Sequence, residues 1–177
     1  MIIAIGGGGY VPARILRSFL KQAGSPNIPI QAIGLSLYET LGTDAQIEAP
    51  GTKVTRTQWL DLGSLEMANL IGKNVLIVDE VDDTRTTLEY AVKELEKDVA
   101  VAAKDLGRTS EATQFSIFVL HNKDKGKKGR LPTEMTSNDR YLAAVTVGDV
   151  WINYPWEATY VFHESDLGYL NMLTVRQ

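Results

Sequence analysis

The segment from Lys73 to Leu106 constrains the fold more than any other part of the chain. Lys73 to Val78 reads as a central strand, apolar on both faces in the manner of parallel strands. It runs into four acids, Asp79, Glu80, Asp82 and Asp83, and then into the Thr-rich stretch Thr84 to Thr87. Leu88, Ala91, Val92, Leu95, Val99, Ala103 and Leu106 follow at helical spacing, and Glu89 with Lys93 is a favourable i,i+4 pair. Strand–helix alternation built on apolar strands predicts an open parallel α/β sheet.

The rest of the chain extends that pattern. Ile2 to Ile5 reads as a strand and Gly6 to Gly9 as a turn. Val11 to Gln22 reads as a helix with Pro12 in its first turn and Val11, Ile15, Leu16 and Phe19 on one face. Ile30 to Tyr38 and Gln114 to Leu120 are strand-like, and Val54 to Leu62 reads as a returning strand. Tyr141 to Val147 and Val150 to Ile152 are expected as short strands. Glu39 to Thr52 lacks periodicity and reads as a mobile loop, whereas Asn122 to Arg130 is a basic, glycine-containing loop. At 177 residues the expectation is one α/β domain over 1–177, an open, mostly parallel twisted sheet flanked by helices, with a small hood region. Ligands of such sheets sit at the carboxyl ends of strands, where both Gly6 to Gly9 and the acids fall.

A net charge of −4 gives no electrostatic reason to expect nucleic acid as the main partner. With no cysteine, disulfides and thiolate metal sites are excluded among this chain's residues. The opening MIIAI has no basic flank and is far too short for a signal peptide or a membrane span, so a cytoplasmic protein without membrane partners is expected.

Four consecutive glycines after a strand let backbone N–H groups approach an anion closely, although a plain tight turn uses glycine too. A dinucleotide fingerprint fits poorly, because Val11 occupies its third glycine position, and no phosphate-loop motif of the G-x-x-x-x-G-K type occurs. The start of the following helix is a natural anion site, which makes four nearby carboxylates a puzzle. Helix capping would account for one or two of Asp82, Asp83 and Thr84. It leaves Asp79 and Glu80, adjacent carboxylates that need hydroxyl donors or a cation. A sugar diol with Mg²⁺ nearby supplies both.

VLIVDEVDDTRTT resembles the phosphoribosyl-pyrophosphate (PRPP) signature of the type I phosphoribosyltransferases. IAIGGGGYVPARIL is similar to their pyrophosphate loop and helix, and DVWINYPWE to the purine-stacking segment of the 6-oxopurine branch. With RTQW and IFVLHNK, the text is closest to the fungal hypoxanthine-guanine phosphoribosyltransferases, from Ile2 to about His163. The resemblance implies a purine salvage enzyme that moves the 5-phosphoribosyl group of PRPP to a 6-oxopurine, giving a nucleoside monophosphate and pyrophosphate. It implies Mg²⁺ as cofactor and a homodimer. The 5′-phosphate falls to Asp83, Thr84, Arg85, Thr86 and Thr87, and the ribose hydroxyls to Asp79 and Glu80. Asp83 faces the purine as proton acceptor, and Gly6, Gly7, Gly8 and Gly9 hold pyrophosphate. Asp79, Glu80 and Glu157 stand near the metal. Trp151 and Ile152 line the purine, with His121 or Lys123 at its 6-oxo group, although Trp151 also suits an ordinary core. The loop Tyr38 to Arg56 closes over the site and excludes water.

Departures accompany the likeness. Gly7 stands where bacterial xanthine-guanine relatives carry arginine, and Glu157 where an aspartate is usual. The chain opens on a core strand, without the family's N-terminal hood segment, and ESDLGYLNMLTVRQ departs from the family's ending. The alternative is therefore a weak or inactive PRPP- or nucleotide-binding regulator on the same fold. The basic run Lys123, Lys125, Lys127, Lys128 and Arg130 reads as a solvated loop, and lacks the interleaved aromatics of a nucleic-acid module.

Overall fold

A computed structural model describes residues 1–37, 54–60 and 70–157. Its elements are β1 (Ile2–Ile5), α1 (Tyr10–Leu20), β2 (Ile30–Leu37), β3 (Val54–Gln58), β4 (Asn74–Asp82), α2 (Thr86–Asp105), β5 (Gln114–Lys123), α3 (Thr133–Ser137), β6 (Tyr141–Val147) and a 3-10 turn at Pro155–Glu157. The six strands make one sheet in the order β3-β2-β1-β4-β5-β6, parallel except for the β2–β3 pair.

Alternation along β1 assigns its side chains to two layers. Ile3 and Ile5 join the larger core, where α2 contributes Leu88, Ala91, Val92, Leu95 and Val99. Ile2 and Ala4 face the other way, onto Ala13 of α1 and Val78 of β4. Helices on both faces are what apolar parallel strands require, since neither face can be left to water. The strand order reverses between β1 and β4, which are paired as Ala4 with Val78. Beyond that pair the chain leaves through Gly6 on one side and Asp79 on the other, so the glycine loop and the acids meet where sheets of this kind bind ligands.

Several elements differ from expectation. The periodic face of α2 is buried as its spacing predicts, but Leu106, just past the helix end, is half-exposed. In α1 the buried positions are Pro12 and Ala13, with Leu16 packed beside them, while Ile15 and Phe19 are exposed, Phe19 by 82%. Small residues let this helix sit close to β1, which turns the larger side chains of the expected stripe outward. β4 carries its pairing through Asp82, where the expected strand ended at Val78, and β5 reaches Lys123. The returning strand stops at Gln58, short of Leu62, and Val150 to Ile152 is irregular, not a strand. Val54 to Arg56 lies in β3, antiparallel to β2, and so is part of the sheet; the remainder of the expected closing loop lies outside the described residues. The short helix α3 was not expected.

Candidate active site

A cavity of about 410 Å³ opens at the carboxyl ends of β1 and β4. Gly6, Asp79, Glu80, Asp83, Thr84 and Thr87 are among the residues that line it.

The glycine loop is shaped by contacts that a side chain would break. A Cβ on Gly9 would lie 2.4 Å from the Val78 carbonyl oxygen and 2.7 Å from that of Ile5, so α1 starts against two core strands only because position 9 is bare. A Cβ on Gly8 would meet the Glu80 carboxylate at about 2 Å. Glu80 therefore folds directly onto this loop. Gly7 has φ +93° over open space, a conformation that L side chains rarely adopt. Any larger side chain at position 7 would be strained.

Asp79 is buried and accepts a hydrogen bond from Glu80 N at 3.0 Å. Burial, and then the adjacent Glu80 carboxylate, push its pKa well above the ordinary aspartate range. Glu80 Oε2 is buried with no hydrogen-bond partner. Two neighbouring carboxylates, one resisting ionisation and one with a bare oxygen, are the donor set that a divalent cation or a diol would relieve. The residues present thus fit a metal held by one or two carboxylates together with substrate oxygens. Among the described residues no group of three or more acidic or histidine side chains is placed to hold a metal by itself. Glu157 accordingly does not complete a cage with Asp79 and Glu80; its Oε2 accepts from Tyr154 N at 3.5 Å.

Capping does not explain the remaining acids. The residue before α2 is Arg85, in the left-handed region at φ +69°, and no side chain caps the helix. Asp82 belongs to β4 and is buried: its Oδ2 accepts from Arg85 Nε at 2.9 Å, Arg85 Nη2 at 2.7 Å and the Tyr141 hydroxyl at 2.6 Å. Asp83 faces the basic loop, with Lys125 Nζ 2.8 Å from Oδ1 and Lys123 Nζ 3.5 Å from Oδ2. Burial opposes its ionisation, but the Lys125 hydrogen bond and the charges of both lysines outweigh it and hold its pKa below the usual carboxylate value. Thr84 and Thr86 hydroxyls lie 3.0 Å apart. The first intrahelical bond after Arg85 is donated by Glu89 N, so the amides of Thr86 and Thr87 are not used within the helix.

The basic run is not simply solvated. Lys127 Nζ donates to the carbonyl oxygens of Asp82 at 2.7 Å and Asp83 at 2.9 Å, while Lys128 N and Gly129 N both donate to Thr84 O at 3.0 Å. A Cβ on Gly129 would lie 2.4 Å from Arg85 O. The loop clamps the start of α2, and only Lys128 and Arg130 of the run are exposed.

At the base end, His121 and Lys123 are on β5, beside β4. Tyr154 OH donates to Glu80 O at 3.0 Å, so across its 3.0 Å contact with His121 Nδ1 it accepts the ring proton. The neutral ring then presents Nε2 as an acceptor, and burial lowers its pKa. With Nδ1 engaged by Tyr154, His121 offers no free ring N–H in this arrangement, while Lys123 Nζ lies 3.5 Å from Asp83 Oδ2 and 3.8 Å from Asp149 Oδ1. Trp151 is 75% exposed and its Nε1 donates to Asn153 Oδ1 at 2.7 Å, which overturns the core reading of this residue. Ile152 is half-buried. Instead Tyr154 is buried and stacks on Trp156, with centroids 4.9 Å apart. Sequence reasoning missed Tyr154, Tyr141 and Lys127; the first lies in the DVWINYPWE segment that pointed to the purine, and nothing local marked the other two.

No family model matches the chain. Among solved structures, a purine phosphoribosyltransferase from Pyrococcus horikoshii has a TM-score of 0.55 and 28% identity, covering 92% of this chain and 80% of that one. A Neisseria gonorrhoeae protein solved with bound ppGpp has a TM-score of 0.65 and 39% identity, over 97% of this chain and 78% of that one. The fold is the mostly parallel sheet of the type I phosphoribosyltransferases. Xanthine phosphoribosyltransferase 1 of Saccharomyces cerevisiae is 64% identical over 160 residues, 89% of this chain and 77% of that protein. The hypoxanthine-guanine phosphoribosyltransferase of Schizosaccharomyces pombe is 61% identical over 158 residues, 89% of this chain and 76% of that protein. The chain belongs to the family of hypoxanthine-guanine and xanthine phosphoribosyltransferases. Among the described residues no helix is long and apolar enough to cross a membrane.

Proposed function

We infer that this chain transfers the 5-phosphoribosyl group of PRPP to a 6-oxopurine (hypoxanthine, guanine or xanthine), releasing pyrophosphate and forming the nucleoside monophosphate. One observation carries the reading: the Asp79–Glu80 pair is folded against the glycine loop on one wall of a cavity whose other wall is the amide-rich start of α2.

Amides of Asp83 to Thr87, with the hydroxyls of Thr84 and Thr87, take the 5′-phosphate, where helix-start N–H groups and the macrodipole favour an anion. Asp79 and Glu80 accept hydrogen bonds from the ribose hydroxyls. As the bond from C1 of the ribose to pyrophosphate breaks, positive charge develops on the sugar, and these fixed carboxylates stabilise it electrostatically. Gly6 to Gly9 hold the pyrophosphate through backbone N–H groups. Asp79 and Glu80 would hold Mg²⁺ together with substrate oxygens, and the bound ion would neutralise charge on the leaving pyrophosphate. Asp83, kept ionised by Lys125 and Lys123, accepts the proton from the purine nitrogen that attacks C1. With the base bound, Lys123 reaches its 6-oxo group while Lys125 keeps its contact with Asp83, and exposed Trp151 stacks on the base with Ile152 beside it. As the family resemblance implies, the proposed enzyme acts in the cytoplasm as a homodimer. The regulatory alternative gains no support, because the acid needed for proton transfer is present and charged.

The test is a product assay with PRPP, Mg²⁺ and each of the three bases in turn. Formation of a nucleoside monophosphate with stoichiometric pyrophosphate is expected. Tight PRPP binding with no product from any base would support the regulator instead.

A further inference from the structure

Arg85 is one of two non-glycine residues with positive φ among those described, and it sits immediately before α2. A side chain in the left-handed region is disfavoured unless its surroundings hold it there. Here they do. The guanidinium makes two hydrogen bonds to the buried Asp82 carboxylate and lies 4.8 Å from the Tyr141 ring centroid, and Tyr141 in turn donates its hydroxyl to the same Asp82 oxygen. From the other side Lys127 Nζ binds the carbonyls of Asp82 and Asp83 and lies 3.5 Å from Asp82 Oδ1. Burial pushes the Tyr141 hydroxyl far above its ordinary pKa, so it remains a proton donor at any working pH.

The consequence is directional. Two carbonyls fixed on Lys127 and one backbone turn fixed at Arg85 determine where the following amides point. Thr84, Arg85 and Thr87 line the cavity, so a left-handed residue between β4 and α2 sets how the backbone turns at its wall. We propose that Asp82 is a positioning residue: with Tyr141 and Lys127 it holds Arg85 in the left-handed conformation that turns the amides of the Asp83–Thr87 loop toward the substrate phosphate. The Arg85 guanidinium serves as an internal tether and does not itself bind phosphate. This rests on the reading of Asp83 to Thr87 as the phosphate loop.

Glycine and alanine separate these roles, because both remove the guanidinium but only glycine adopts positive φ freely. Titrations of the full chain with GMP and with guanosine, alongside melting temperatures, provide the readouts. Arg85→Ala should weaken GMP binding on the order of tenfold, the scale of an untethered left-handed residue. Arg85→Gly should recover most of that loss, and guanosine affinity should follow neither change. Asp82→Asn should behave like Arg85→Ala toward GMP; because this buried site also supports folding, the alanine–glycine comparison remains decisive if that variant does not fold. Equal loss in Arg85→Ala and Arg85→Gly overturns the proposal, since the guanidinium would then be a direct ligand. Wild-type protein that binds guanosine as tightly as GMP would instead remove the phosphate-loop reading, and the proposal with it.

Discussion

Replacing Gly8 and Gly9 by alanine, one at a time, should give opposite outcomes although the residues are neighbours. At Gly9 the backbone is already helical, with φ −71° and ψ −19°, so alanine meets no conformational penalty there and even restricts the unfolded chain by about 0.4–1 kcal/mol. Against that gain stand the Val78 and Ile5 carbonyl oxygens at 2.4 and 2.7 Å, both in central strands that cannot retreat separately. Overpacking of a rigid core costs about 1–3 kcal/mol and sometimes more. With backbone on both sides we expect the upper end, roughly 3 kcal/mol, which for a domain of this size lowers the melting temperature by about 6–12 °C. At Gly8 the obstacle is the end of the Glu80 side chain, which can swing aside. Stability should fall by about 1 kcal/mol or less. Moving Glu80 removes a charged hydrogen-bond partner of the ribose, so the KM for PRPP should rise about tenfold. Thermal melts with PRPP-dependent kinetics on both variants test this. An unchanged PRPP KM in Gly8→Ala would refute the assignment of Glu80, and equal melting losses would refute the steric reasoning.

Other consequences follow from the same geometry. Asp79 has a raised folded pKa, so its contribution to stability falls as pH rises from its ordinary value of 3.8 through the folded one. Asp79→Asn, which can still accept the Glu80 N–H bond, should therefore flatten the stability profile over that window and weaken PRPP binding, as urea melts and PRPP titrations across pH would record. Asp83 has a depressed pKa, so what its lysine contacts contribute is present above pH 3.8 and is lost as pH falls through the folded value. Lys125→Ala should move the acidic limb of the kcat/KM profile upward, toward the ordinary carboxylate value; an unmoved limb would mean that Asp83 is not the titrating base. Trp151→Leu should leave the melting temperature nearly unchanged, because the ring is exposed, while purine nucleotide binding weakens by roughly 1–3 kcal/mol if the ring stacks on the base. A large melting loss with indiscriminate loss of ligands would remove the stacking role.

Periodicity in the chain determined the α/β class, the central strand after Lys73 and the buried face of α2, because burial on both faces of a strand or on one stripe of a helix is written in neighbouring residues. The glycine run and the Asp79–Glu80 pair were legible for a similar reason, as residue types costly to keep without a ligand or a close approach. What the chain could not reveal locally is how Asp82 and Asp83, adjacent in sequence, divide their work. β4 continues through Asp82 and its pleat sends that carboxylate inward to Tyr141, 59 residues away, while Asp83 faces Lys123 at the end of β5 and Lys125 just beyond it. The same distance hid Lys127, whose ammonium looked solvated until the fold brought it onto carbonyls 44 and 45 residues back along the chain. A strand's register and a loop's path over its neighbour set such contacts, and both depend on how β4, β5 and β6 pair. Only the assembled sheet decides them.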